Sequence, residues 1–98
     1  MAPFLSCSVY PAGPNQPTEF EVYMDGAITP SITPALAVTG GVRLNYDLAS
    51  ISIGNHTVTV KGAKSDPYWG RITSSSSSPF AFVRPSGIST PIGINIVP

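Results

Sequence analysis

Charge is scarce in this chain. Only 10% of its 98 residues are Asp, Glu, Lys or Arg, and five bases balance five acids, where a typical soluble domain is about 25% charged. A neutral chain has no electrostatic footprint for nucleic acid or an anionic membrane, so neither is expected as a partner. Cys7 is the only cysteine, which excludes an intrachain disulfide and any need for an oxidising compartment. No stretch approaches the ~18 consecutive apolar residues of a membrane span. "FLSC" is preceded by neither a basic segment nor an apolar one, so no signal peptide is expected. A helical period is missing too: nowhere do apolar residues recur at three- and four-residue intervals.

Catalytic chemistry is equally thin. Proton transfer needs titratable groups held together, and here one His, one Cys and five acids form no compact motif. There is no G-x-S-x-G elbow, no phosphate-cradling glycine loop and no His/Cys cluster for zinc. Asp25, Asp47 and Asp66 stand singly rather than as the oxygen cage calcium requires. The expectation is a chain without metal, cofactor or enzymatic activity. "NHT" at 55–57 matches a glycosylation triplet, one that arises often by chance.

What the chain does have is alternation. Apolar residues recur with period two, broken by turn residues about every eight to twelve positions, the pattern of an all-β sandwich or barrel. Leu5, Cys7 and Val9 share one face, with Cys7 expected as a small core hydrophobe. Phe20, Val22 and Met24 point inward from "TEFEVYMDG", with Glu19, Glu21 and Tyr23 outward and a turn at Asp25-Gly26. Pro30 and Pro34 in "ITPSITP" mark an edge strand or loop. Val42, Leu44, Tyr46 and Leu48 form the next inward set, then His56, Val58 and Val60. His56 is expected in the core, bonding a backbone group. The serines 74–78 read as an edge segment satisfying local backbone groups. Phe80 and Phe82 share a face, and Ile92, Ile94 and Ile96 alternate near the end. The units sum to about seven short strands, expected as an antiparallel two-sheet sandwich over residues 1–85, with 86–98 a tail or an additional strand.

Charge is also segregated: Glu19, Glu21, Asp25 and Asp47 precede Lys61, Lys64, Arg71 and Arg84. Complementary pairs on neighbouring strands would explain this, as would a small basic patch near "SDPYWG". That stretch, 65–70, is the one feature resembling a site. Lys64, Asp66, Tyr68, Trp69 and Arg71 are the candidate binding loop, the aromatics stacking on a ligand and the polar groups bonding it. The competing reading makes Trp69 a plug folded over the end of the domain.

"ISIGNHTVTVKGA" resembles the E–F corner and F strand of fibronectin type III and related immunoglobulin-like domains, with Ile51 and Gly54 matching and His56 standing where the corner tyrosine would be. The absence of a cysteine pair and a core Trp excludes the antibody type. From that strand through "DPYWG" and the serines to "SPFAFVRP", the chain is similar to small fibronectin-like domains encoded in bacteriophage and prophage genomes. The resemblance implies a non-enzymatic structural or interaction module, made in the bacterial cytoplasm and assembled into a phage particle beside other virion proteins. A carbohydrate- or cell-surface-binding module using the 65–71 loop is the alternative, and fold alone does not choose between them.

Overall fold

The computed structural model describes residues 3–87 and 90–98. The chain is all-β and antiparallel. Among the described residues there are ten strands, β1 Phe4–Ser6, β2 Tyr10–Pro11, β3 Glu19–Met24, β4 Ser31–Pro34, β5 Leu36–Val38, β6 Gly41–Arg43, β7 Asn45–Asp47, β8 Gly54–Asp66, β9 Gly70–Thr73 and β10 Phe80–Arg84. They form three sheets rather than the two expected: β10-β8-β3-β4 with β9 also on β8, then β2-β6-β5, and β1-β7. Among the described residues no helix is long and apolar enough to cross a membrane.

The 13-residue β8 organises the large sheet. β3 lies along one edge, from Met24 opposite Val58 to Glu19 opposite Ala63. The other edge is shared, with β10 covering residues 54–58 and β9 covering 63–66. Backbone left between them would face solvent unpaired, and the serine run closes the gap. Ser74 N and Ser77 N donate to Gly62 O and Val60 O, both at 2.9 Å. Gly62 N and Val60 N donate in return to Ser74 Oγ and Ser77 Oγ, also at 2.9 Å. The serines satisfy backbone groups as expected, but these belong to the neighbouring strand β8 rather than to their own segment.

The strand breaks explain where the alternation misleads. Ser6 pairs with Asn45 and Tyr10 with Val42, so residues 7–9 stand opposite only residues 43 and 44. One extra residue is a β-bulge, and it flips the inward face. Leu5 is buried before the bulge and Tyr10 packs on the core after it, its ring 5.9 Å from that of Phe20. Cys7 and Val9 are therefore exposed, which corrects the expectation that they join Leu5 inside. Cys7 Sγ instead accepts from Leu44 N at 3.3 Å, capping the bulge. Beyond it Gly41 faces Pro11 so closely that a Cβ there would sit 1.8 Å from Tyr10 O. Only glycine fits.

Phe20, Val22 and Val58 from the large sheet meet Leu5 from β1, Leu44 from the break between β6 and β7 and Leu48 just after β7 in one cluster, with Met24, Tyr46, Val60 and Phe82 around it. β4 is an edge strand, as its prolines required. After it the chain leaves the large sheet and β5 pairs with β6. The last strand ends at Arg84, and the described residues of the tail form none.

Phe20→Ala should destabilise by about 3–5 kcal/mol, the range for truncating a buried Phe. Cys7→Ser should stay within about 0.5 kcal/mol of the parent, as an exposed site does. Urea unfolding measures both. A large loss from the serine substitution would place Cys7 in the core and refute the bulge.

Candidate functional site

β3 ends its pairing with β8 at Ala63, opposite Glu19. Past that point β8 and β9 continue as a two-stranded ribbon, Lys64 facing Ile72, Ser65 facing Arg71 and Asp66 facing Gly70. Three residues, Pro67, Tyr68 and Trp69, close it. Asp66 Oδ1 accepts from Tyr68 N at 2.8 Å and from Trp69 N at 2.9 Å, while Gly70 takes φ +74°. An Asx-type turn ending in a left-handed glycine is a standard three-residue hairpin closure. It fixes the tip from below without using the aromatic side chains.

Those side chains are left in solvent. Tyr68 is 89% exposed and Trp69 81%. The plug reading is overturned. A loop this short cannot turn the indole back, and the ribbon has already outrun the sheet on which it would lie.

The remaining residues of the candidate loop are engaged within the protein. Lys64 Nζ donates to Pro14 O, tying the 12–17 loop to β8. Arg71 leans over the small Ala63 position to β3. Its Nη1 donates to Glu19 Oε1 at 2.7 Å, and its Nη2 and Nε donate to Glu21 Oε2 at 2.8 and 3.0 Å. Tyr23 Oη donates to Glu21 Oε1 at 2.8 Å, and Lys61 sits 5.5 Å from the centre of the Tyr23 ring. The Tyr23 hydroxyl and then Arg71 hold the Glu21 carboxyl below its usual range, against the burial that pushes it up. Glu19 and Glu21 thus pair across the strands with Arg71, while Lys64 and Arg84 bond backbone carbonyls. Of the five candidates, only Tyr68 and Trp69 have side chains outside the internal hydrogen bonds, although Arg71 remains partly exposed.

A second polar constellation was invisible in the sequence. His56 is buried, its ring stacked on Phe82 at 5.5 Å. Its Nδ1 lies 2.7 Å from Asp25 Oδ2 and its Nε2 lies 2.7 Å from Ser52 O. Asp25 sits at φ 54° in the tight turn between β3 and β4, and its Oδ1 accepts from Thr57 N at 3.0 Å. Two acceptors face the two ring nitrogens, and only the imidazolium donates from both. The sequence pattern points His56 inward and marks Asp25 as a turn residue and a scattered acid, but nothing in it relates positions 31 apart. Among the described residues no group of three or more His, Cys, Asp or Glu is placed to hold a metal ion.

No family model, curated protein or solved structure matches the chain.

The His56–Asp25 pair makes stability depend on pH. The Asp25 carboxylate and then the Ser52 carbonyl raise the His56 pKa above its usual value, with burial opposing. His56 and then the Thr57 amide lower that of Asp25. The His56 contribution is complete below about pH 6.5 and is lost as pH rises through the raised folded value. The Asp25 contribution is present above about pH 3.9 and is lost as pH falls through the lowered one. The urea midpoint should therefore fall as pH rises above neutrality in the parent and stay flat in His56→Gln. Equal pH profiles for the two proteins would show that the pair does not hold a proton.

Proposed function

We propose that the chain is a non-enzymatic interaction module on an immunoglobulin/fibronectin III-like sandwich, and that it binds through Tyr68 and Trp69. Three features support the sandwich reading. Joining β1 to β2 and β6 to β7 across their breaks, and counting β9 with the hairpin of β8, leaves seven strands. The order β3-β8-β10 matches the C-F-G order of such domains. The bond from His56 Nε2 to Ser52 O, four residues upstream, stands where a corner tyrosine would bond back to the backbone.

One observation carries the binding reading: two large aromatics lie almost wholly in water on a tip whose backbone is fully tied. Exposed aromatic surface is costly unless something covers it, and a rigid tip loses little entropy on binding. The aromatic faces suit the C–H face of a sugar ring, and the Asp66 carboxylate beneath them, in no ion pair among the described residues, suits a neutral polyhydroxylated ligand better than an anion. A glycan of a bacterial cell surface is the proposed ligand class, and the resemblance to phage and prophage domains proposes the setting, a particle that must meet such a surface. A packing role among virion proteins is the second reading, favoured by exposed apolar side chains along β1 and β10, Phe4 and Phe80 among them.

Trp69 is the only tryptophan, so its fluorescence reports the tip alone. The free protein should show red-shifted emission strongly quenched by acrylamide. Titration with bacterial surface polysaccharides should shift that emission to the blue for the glycan bound. Tyr68→Ala, read by calorimetry with Trp69→Ala, should weaken that binding about tenfold or more, about 1.4 kcal/mol, with the thermal midpoint unchanged. Binding that survives both substitutions, or no polysaccharide bound at all, would remove the glycan reading.

A further inference from the structure

One apolar concavity lies away from the hairpin tip. A cleft of about 380 Å³ opens between β1 and β10, lined by Phe4, Leu5, Cys7, Val58, Phe80 and Phe82. β1 pairs only with β7 and β10 only with β8, so each borders the cleft with an open edge. The floor includes Val58, one of the most deeply buried side chains, so the cleft reaches the core itself. An open strand edge beside exposed apolar side chains is a template for one more strand.

The chain carries a segment of that pattern. Ile92, Ile94 and Ile96 alternate with Gly93, Asn95 and Val97, and they are 92%, 85% and 99% exposed. Period two gives one strand face made of three isoleucines, with the small Gly93 and the polar Asn95 on the other. Pro91 and Pro98 bracket the segment, and proline donates no ladder bond, so pairing is confined to the residues between them. The four steps from Ile92 to Ile96 cover about 13 Å as a strand, comparable to the length of β1 with Cys7. Gly93 is bent at φ +66° and would have to extend, a change that glycine makes freely.

Polarity separates the two routes by which a tail can enter. At one end of the cleft Pro3, just before β1, lies with Val83, Arg84 and Pro85 at the end of β10. At the other end Cys7 and Ser8 lie with Ser77, just before β10. β1 and β10 therefore run in opposite directions along the cleft, and the tail leaves β10 at the Pro3 end. A chain's own tail turning straight back would run antiparallel to β10 but parallel to β1, the weaker pairing, and its isoleucines stand exposed rather than in the cleft. A segment entering from the Cys7 end runs antiparallel to β1, and the tail of a second copy can arrive there.

We propose that residues 92–96 of one copy insert beside β1 of the next, their isoleucines filling the cleft and their backbone pairing with its open edge. The contact joins tail to cleft, so every assembly keeps one free tail and one free cleft at its ends, and growth is head-to-tail and open-ended. It does not depend on any ligand at the hairpin tip.

Sedimentation velocity of the full chain from about 1 µM to about 1 mM tests this by mass action. The weight-average mass should rise with concentration without stopping at a dimer. Ile94→Asp breaks the tail and Phe4→Asp blocks the cleft. Both residues are exposed enough to leave the fold standing. Each variant alone should remain monomeric, and an equimolar mixture should form a dimer and nothing larger. Trp69→Ala should associate as the parent does, which separates this contact from glycan binding. A parent chain monomeric throughout, association that survives Ile94→Asp, or a mixture of the two variants that stays monomeric would each overturn the proposal.

Discussion

The backbone of β8 is the constraint on which the rest of the structure depends. A 13-residue strand exposes more donors and acceptors than one neighbour of ordinary length can satisfy. β3 completes only part of one edge, and the other is assembled from three unrelated pieces: the C-terminal strand β10, the bridging serines and the returning strand β9. Because β8 outlasts β3, its far end becomes a projecting ribbon. Because β10 and β9 share one edge, the serine run has a structural reason to exist. The same strand supplies Val58 to the core and His56 to the clamp at its near end.

The few charges are spent almost wholly on holding strands and loops in place. Arg71 joins β9 to β3, Lys64 holds the 12–17 loop, and Arg84 donates to the carbonyl of Ile51. Arg43 donates to Ser6 Oγ across the small sheets, and Lys61 covers the Tyr23 ring. This leaves a surface of hydroxyls, amides and apolar groups, suited to partners recognised by shape and stacking rather than by long-range attraction. The two proposed contacts, a stacking tip and an apolar cleft, follow that logic from opposite parts of the fold. One would face outward to a ligand and the other would join copies, so neither competes with the other.

Much of the fold was legible before any coordinates. Period-two alternation is a local property, and it placed Phe20, Val22, Leu44, Leu48, His56 and Val58 on the inward side, all of them buried. Turn chemistry is local as well, and Asp25-Gly26, Gly40-Gly41 and Gly70 all take the positive φ values it demands. The inward reading of Cys7 and Val9 failed because a bulge is an unequal count between two strands some 37 positions apart. Neither strand carries that mismatch by itself.

The candidate site divides along the same line. Composition and turn signals alone singled out residues 64–71, and they sufficed to say that Tyr68 and Trp69 sit at a turn. Whether those rings were covered depended on where β3 stopped along β8, a matter of register between distant segments. So did the fate of Asp66, Lys64 and Arg71, drawn into internal bonds. By itself the sequence determined an all-β chain, its turns, most of its inward faces and its lack of surplus charge, because these arise from neighbours along the backbone. Only the tertiary structure decided the bulge, the bare aromatic tip, the Asp25–His56 clamp and the open cleft, because each depends on which strand lies beside which and where that pairing ends.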